Sequence, residues 1–403
     1  MIAKIKKSVA RGNVRAPGSK SYAHRMLIAA ALANGHSRIT DIPPCDDALA
    51  TIDCLRALGA KIDYCNGIAE IFGFDPRSSC PTSRLCARES GSTLRFILPL
   101  CMLSGNPTTV CGSKRLLERP LGAYEELCNK QDILYKTDDG EITVSGVLKN
   151  EDVSLVGNVT SQYITGMLYA LPFLCGDRRI RLTTKIESKP YIDMTVEVMR
   201  NFGIDVLWEN ENVLLVNGGS EYKAKNTAVE GDWSGAAFLK GLGLFGDVSV
   251  TGLNENSLQG DRVCEEYFKA LCDGTPTLSV EECPDLAPIL FCIAAEKNGA
   301  TFTGTRRLRI KESDRCAVMA EELRKFGADL RINENSVEVI KCSLHAPSEM
   351  LCGHNDHRVV MSLAVLATLY GGEITGAEAV SKSYPKFFED IKGLGIDLCL
   401  TEN

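Results

Sequence analysis

Eight short peptides in this chain place small polar or charged residues directly ahead of an apolar run of helical period: PGSKSYAHR, RESGSTLR, NVTSQY, ESKPYID, EGDWSG, ECPDLAP, IKESDR and HNDHR. Serine, threonine and aspartate in such places read as N-caps, because their side-chain oxygens accept from backbone N–H groups that the first helical turn leaves unpaired. The other unpaired N–H groups and the helix dipole make the same end partly positive, so several helix starts brought together hold a multiply charged anion. Any one of the eight needs no role beyond capping. What points to chemistry is the basic residues within a turn of them: Lys20 and Arg25, Arg95, Lys189, Lys311 and Arg315, and Arg358. Arginine grips carboxylate and phosphate through paired bonds, and lysine acts as a mobile point charge. Phosphate or carboxylate ligands are the expectation.

These cations stand in an acidic chain of 403 residues with a formal net charge of −7. A duplex nucleic-acid binder would carry a basic excess to replace counterions, so that class is excluded. Gly241 to Gly246, GLGLFG, fits a dinucleotide fingerprint in spelling only: it follows a helix-like run and precedes a strand-like one, the reverse of the required order. PGSKS lacks the glycine spacing of a phosphate-binding loop for nucleotides. ATP and NAD are therefore not expected, and neither is a metal. The 17 cysteines are odd in number and show no paired metal-ligand spacing, which suits a reduced compartment and mostly buried thiols; Cys80 and Cys86, framing a short loop, are the redox candidates. The start of the chain lacks the apolar core of a signal peptide, and runs such as Phe96 to Leu103 are too short to cross a bilayer. The sequence reads as a cytoplasmic monomer, and the sequon at Asn158 carries no weight there.

The elements that must position these residues repeat. A helix-like stretch, a turn that usually holds glycine, and a short alternating strand recur at Gly59, Gln131, Gly203, Gly274, Gly327 and Gly395, spaced 72, 72, 71, 53 and 68 residues apart. The glycine sits where a helix end takes the left-handed conformation. Each unit is long enough for a second helix and further strands, so each is a small α/β subdomain, not one turn of a solenoid. Two groups of three make two domains, with the polar stretch from Ser220 to Trp233 as the linker between them.

PGSKS with Arg25, Arg115 followed by LLERP, TSQY, SKPYID, EGDWS, PDLAP, RIKESDR, NDHR and the late Lys382 together resemble the 5-enolpyruvylshikimate-3-phosphate synthase family, in order and over essentially the whole chain. The resemblance implies a two-domain inverse α/β barrel, each domain three repeated βαββαβ units with helix N-termini facing the interdomain cleft. It also implies that residues 1–14 join 231–403 in one domain and that 15–230 form the other. The activity it implies is transfer of the enolpyruvyl group of phosphoenolpyruvate to the 5-hydroxyl of shikimate 3-phosphate, without cofactor. Matched motif by motif, Lys20, Ser21, Arg25, Thr160, Ser161, Gln162, Ser188, Asp285 and Lys311 would bind shikimate 3-phosphate. Lys20, Gly91, Arg115, Gln162, Arg315, Arg358 and Lys382 would bind phosphoenolpyruvate. Asp285 would take the hydroxyl proton, Glu312 would help protonate the enolpyruvyl methylene, and Lys20 would share proton duty.

Protonation at C3 develops cationic character at C2, the hydroxyl attacks there, and the tetrahedral adduct collapses with loss of phosphate. Two departures stand out. Glu89-Ser90-Gly91-Ser92 replaces an asparagine-glycine phrase common in the family, and Arg307 and Leu308 replace asparagine and tryptophan beside the shikimate phosphate. A UDP-N-acetylglucosamine enolpyruvyl transferase shares fold and donor but carries a catalytic cysteine on a long loop, where this chain has only Cys111 in a short segment. A non-catalytic anion-binding relative is the alternative from another class, opposed by Asp285, Glu312 and Lys20. An interdomain site of this kind should close over its substrates, slowing hydrogen exchange in 220–233.

Overall fold

The computed structural model describes residues 1–78, 84–138 and 140–402. Cys80 lies outside the described residues. The chain is an α/β protein that divides into two compact units, 18–230 and 1–17 with 231–403. The first boundary falls after Pro17, because the strand Arg11–Arg15 pairs in parallel with Asp247–Thr251 and so stays with the C-terminal half.

Unit 18–230 carries three four-stranded sheets of one design. Their strand orders are Thr227–Ala228, His36–Thr40, Ile68–Phe72, Lys61–Cys65; then Arg84–Cys86, Thr108–Cys111, Glu141–Ser145, Leu134–Asp138; then Val153–Leu155, Arg178–Leu182, Val213–Val216, Val206–Asn210. In each, the first pair is parallel and the other two are antiparallel. Strands alternate buried and exposed residues, as in Ile68–Phe72 and Glu141–Ser145, so each sheet has one wet face. The helices Lys20–Leu32, Gly91–Cys101 and Gln162–Ala170 are buried at almost every position. Helices fill the interior and sheets form the wall. Gly166 permits the closest approach, since a Cβ there would stand 2.2 Å from the Arg95 carbonyl oxygen.

The other unit repeats the plan with two changes. One sheet, Thr277–Ser279, Ala300–Thr303, Ser336–Ile340, Asp329–Ile332, is complete. In the next, Leu351–Cys352, Gly372–Thr375, Ile2–Ile5, Leu398–Thr401, the third strand comes from the chain's N-terminus and pairs antiparallel with both neighbours. The last sheet is reduced to the parallel pair Arg11–Arg15 and Asp247–Thr251.

That reduction corrects the reading of the fourth repeat. After Gly59, Gly203, Gly327 and Gly395, all at positive φ, the chain enters an antiparallel edge strand. In the second copy the left-handed residue is Asp132, at φ 58°, one position past Gln131. Gly274 instead sits at φ 179°, extended backbone, and leads into Thr277–Ser279, the parallel first strand of the following sheet. The missing hairpin accounts for the short spacing to Gly327. The stretch from Ser220 also differs from a linker: Thr227–Ala228 is a strand beside Ile39 and Thr40, and the amides of Lys223 and Val229 donate to Phe202 and Thr40 carbonyls at 2.7 and 2.9 Å. Among the described residues no helix is long and apolar enough to cross a membrane.

Candidate active site

In unit 18–230, Ser19 caps the helix Lys20–Leu32 by accepting from the Tyr22 amide, which leaves Lys20 and Ser21 in the first turn. Lys20 Nζ donates to Asp47 at 2.8 Å. Arg25, one turn on, is buried; its Nε donates to Thr195 Oγ1 at 2.9 Å, and its Nη atoms donate to the carbonyls of Ser21 and Tyr191 at 2.7 and 2.8 Å. Each of these acceptors is neutral, so the guanidinium keeps its full charge for an anion while burial pushes its pKa down. Tyr191 belongs to the helix Lys189–Asn201, whose N-cap, Ser188, holds φ 58° and makes no capping bond. A serine in the left-handed region is strained, and such strain gathers where ligands are clamped.

A second group surrounds Gly91. Ser90 caps the helix Gly91–Cys101 by accepting from the Thr93 amide at 3.2 Å. Arg95 reaches back along it, donating to Gln162 Oε1 at 3.0 Å, to the Gly91 carbonyl at 3.3 Å and to the Pro120 carbonyl at 2.9 Å. Gln162 in turn donates to Ser92 Oγ at 3.0 Å, and its amide donates to Thr160 Oγ1 at 3.2 Å beside the buried Ser161. A Cβ on Gly91 would stand 2.8 Å from Arg119 Nη1 and 2.9 Å from Arg95 Nη1, so two guanidiniums flank bare backbone. Burial, with Arg119 adding to it, pushes the Arg95 pKa down to about 10. Arg115 is exposed on the short helix Lys114–Leu117. Arg119, four residues later in LLERP, is the one against Gly91, and the sequence reading passed it over. Lys189 is drawn elsewhere, to Asp193 at 2.8 Å and over the Trp208 ring at 4.7 Å.

The other unit gathers the carboxylates. Asp285, in the turn Pro284–Leu286, accepts from Arg315 Nη1 at 2.8 Å, Arg358 Nη2 at 3.2 Å and Lys311 Nζ at 3.4 Å. Burial pushes Asp285 up, but Lys311, Arg358 and Arg315 together outweigh it and hold the carboxyl well below the ordinary range. Arg315, with 1% of its side chain exposed, also donates to Glu312 at 2.9 Å and to Asp356 at 2.9 and 3.3 Å. Asp356 caps the helix His357–Tyr370 by accepting from the Arg358 amide, and it accepts from Ser313 as well. Nε and Nη1 of Arg358 are buried and find no hydrogen-bond partner among the described residues. Lys382 ends the turn Ala377–Lys382 and donates to the Asn355 carbonyl at 2.6 Å, next to His354 and Asn355 at φ 48° and 52°.

Two replacements take definite places. Leu308 is fully buried in the core, and Arg307 lies close enough to Lys311 to help lower its pKa, after burial and Arg315 and against Asp285. The sequence missed Asp47 and Asp356 as partners of the cations, and the buried Asp261, whose carboxylate accepts from Ser234. Asp356 was legible as the capping aspartate of HNDHR, whereas Asp47 and Asp261 carry no local signal.

For a metal, the described residues offer Glu321, Glu322 and His354, with ligand atoms within 4.8 Å of one another. Glu322 already accepts from Lys325 Nζ, His354 Nε2 and the Cys352 amide, each at 2.9 Å, so an ammonium occupies the place a cation would need. A cavity of about 300 Å³ lined by residues including Leu32, Phe74, Arg77, Phe173 and Tyr222 lies at the C-terminal end of the Lys20 helix. By helix rise that is about 18 Å from Lys20, so the cavity is separate from the Lys20 end of the helix.

A family model described as EPSP synthase (3-phosphoshikimate 1-carboxyvinyltransferase) matches residues 5–391. The 3-phosphoshikimate 1-carboxyvinyltransferase of Clostridium kluyveri is 36% identical over 406 residues, 95% of each chain. That of Clostridioides difficile is 36% identical over 97% of each chain. Among solved structures, EPSP synthase from Acinetobacter baumannii aligns at a TM-score of 0.80 with 24% identity, covering 99% of this chain and 100% of that one. The enolpyruvyl transferase NikO from Streptomyces tendae aligns at 0.76 with 16% identity, over 99% and 98%. These two likenesses speak for the fold; the full-length match in sequence goes further, and by it the chain belongs to the EPSP synthase family.

Proposed function

We propose that this chain transfers the enolpyruvyl group of phosphoenolpyruvate to the 5-hydroxyl of shikimate 3-phosphate, releasing phosphate, in the shikimate pathway to the aromatic amino acids. The observation that carries the mechanism is Asp285, one carboxylate met by three cations from two separate segments, Lys311 and Arg315 of RIKESDR and Arg358 of NDHR. An arriving phosphate or carboxylate competes for those cations. As they turn to it, Asp285 loses the charges that depress its pKa and becomes a stronger base, just when the hydroxyl proton has to leave. Glu312, paired with Arg315, must take up a proton before it can give one, so substrate binding at Arg315 is the event that frees it for protonating the methylene. Lys20, held by Asp47, supplies a further mobile charge and proton donor. Ser21, Arg25, Thr160, Ser161, Gln162 and Ser188 bind shikimate 3-phosphate, with Lys20, Asp285 and Lys311. Gly91, Arg115, Arg315, Arg358 and Lys382 bind phosphoenolpyruvate, with Lys20 and Gln162. Arg95 donates to the Gly91 carbonyl, and the Arg119 guanidinium stands beside the same residue.

The test is phosphate release from phosphoenolpyruvate with shikimate 3-phosphate or UDP-N-acetylglucosamine as acceptor. Release with shikimate 3-phosphate alone is expected, and Asp285→Ala should lower kcat about 100-fold or more. Release only with the nucleotide sugar would keep the fold and replace the substrate; release with neither would end the enzymatic reading.

A further inference from the structure

The second sheet of unit 18–230 has a wet face formed by Arg84 and Cys86 on its edge strand, Thr109 and Cys111 on the parallel neighbour, and Glu141 and Thr143 beyond. The register sets Cys86 directly against Cys111. Facing side chains on this surface touch, since the Thr109 and Thr143 hydroxyls are 2.8 Å apart. Residues facing each other on adjacent strands have Cα atoms about 4.8 Å apart, inside the window of roughly 4.4 to 6.8 Å that a disulfide spans. Cys86 is exposed, Cys111 is half-buried, and both are free thiols. Burial and then the neighbouring Cys86 thiol push the Cys111 pKa up, and the exposed Cys86 is the more accessible of the two to a reagent. Arg84–Cys86 is a three-residue edge strand, so it can adjust to a new bond.

We propose that Cys86 and Cys111 form a dithiol modification site, which a low-molecular-weight disulfide closes into an intramolecular disulfide. The Cys86 thiolate attacks one sulfur of the small disulfide, forming a mixed disulfide and expelling one thiolate. The Cys111 thiolate then attacks the Cys86 sulfur, forms the protein S–S bond and expels the second. The two cysteines lose two electrons, the reagent is reduced to two thiols, and the two cysteine protons end on them.

The pair stands where it affects more than itself. Just beyond it, the Ala87 amide donates to the Cys111 carbonyl at 2.8 Å and the Ser113 amide donates to the Arg88 carbonyl at 2.7 Å. Arg88 is left-handed at φ 53°, so the connection has little slack. Next come Ser90, which caps the Gly91 helix, and Ser113, which caps the short helix bearing Arg115. A bond between Cys86 and Cys111 therefore fixes the spacing of the two segments assigned to phosphoenolpyruvate, and its effect on that substrate rests on that assignment.

The experiment treats the full chain with 2-hydroxyethyl disulfide, alkylates the remaining thiols and digests with trypsin. A linked pair is expected between Leu85–Arg88 and the peptide ending at Lys114, mapped to Cys111, reversed by dithiothreitol and absent from Cys111→Ser, where Cys86 keeps the mixed disulfide. Wild-type protein that stops at the mixed disulfide, or links Cys86 to another cysteine such as Cys54, would overturn the site. In the linked protein the KM for phosphoenolpyruvate should rise about tenfold, a change of about 1.4 kcal/mol in free energy, and return on reduction. An unchanged KM with the bond in place would overturn the coupling to Gly91 and Arg115. If the unmodified protein shows no transfer at all, the functional reading fails while the peptide map still decides the site.

Discussion

At the scale of single residues, the unit containing Asp285 collects more carboxylate than its substrates alone would call for. Asp261 is fully buried; one oxygen accepts from Ser234, and the other finds no partner among the described residues. Burial first, then Asp285 and more weakly Asp232, raise its pKa to about 7, against Arg358 and the Ser234 bond; the thiols of Cys264 and Cys283 also feel its charge. A carboxyl whose pKa is higher folded than unfolded weakens the fold as it ionises. Its contribution is therefore lost as pH rises from an unfolded value of about 3.9 to the folded one of about 7. Asp261→Asn does not titrate, so its stability relative to wild type should improve between pH 5 and pH 8, by on the order of 2 kcal/mol. Urea unfolding at the two pH values measures this; a constant difference would mean that Asp261 is ionised throughout.

At the scale of elements, capping residues do double service. Ser90 Oγ accepts from the Thr93 amide and, at 2.7 Å, from the Thr93 hydroxyl. Thr93 is 2.7 Å from the Thr51 hydroxyl, and Thr51 is 2.7 Å from His24 Nδ1, so a buried polar chain links the Gly91 helix to the Lys20 helix. Ser90→Ala removes the cap and one of the partners of the Thr93 hydroxyl. The expected cost is about 1 to 2 kcal/mol, read as a lower Tm, together with a higher KM for phosphoenolpyruvate. A variant with wild-type Tm and KM would show that the helix start needs no cap to keep its place. Ser19, Ser90, Asp232, Asp314 and Asp356 all cap as their sequences predict. Three of the eight expected caps do not form: Ser161 in NVTSQY, the start of ECPDLAP, and Ser188, whose backbone is left-handed, make no side-chain capping bond, and no local pattern announces the conformation at Ser188.

At the scale of the whole molecule, the two units differ in how the chain builds them. Residues 18–230 are continuous and hold their own core and three full sheets. The other unit places Ile2–Ile5 between Gly372–Thr375 and Leu398–Thr401, in the interior of a sheet. Expressed alone, 18–230 should fold and unfold cooperatively. Residues 231–403 alone should not, since removing that strand unpairs the ladders on both of its sides and uncovers the core around Ala3 and Ile5. Addition of 1–17 should restore the fold. Circular dichroism and thermal melts decide it, and a cooperatively folded 231–403 would show that the N-terminal strand is dispensable. The exchange expectation for 220–233 also narrows: the bonded amides of Lys223 and Val229 should exchange slowly with or without substrate.

The sequence by itself determined the repeat and most of the helix starts, because caps, left-handed turns and strand alternation are written within a few neighbours. It also carried the family, since nine motifs in order need no structure to be matched. What only the tertiary structure decided is pairing over distance. Asp47 meets Lys20, Asp356 meets Arg315 and Ile2–Ile5 enters a sheet more than 360 residues away because folding brings them there, and a period read along the chain holds no information about such partners. The misassigned strand of the fourth repeat has the same cause: helix, glycine and strand look alike in sequence, and only the sheet that receives Thr277–Ser279 tells an edge strand from a first one.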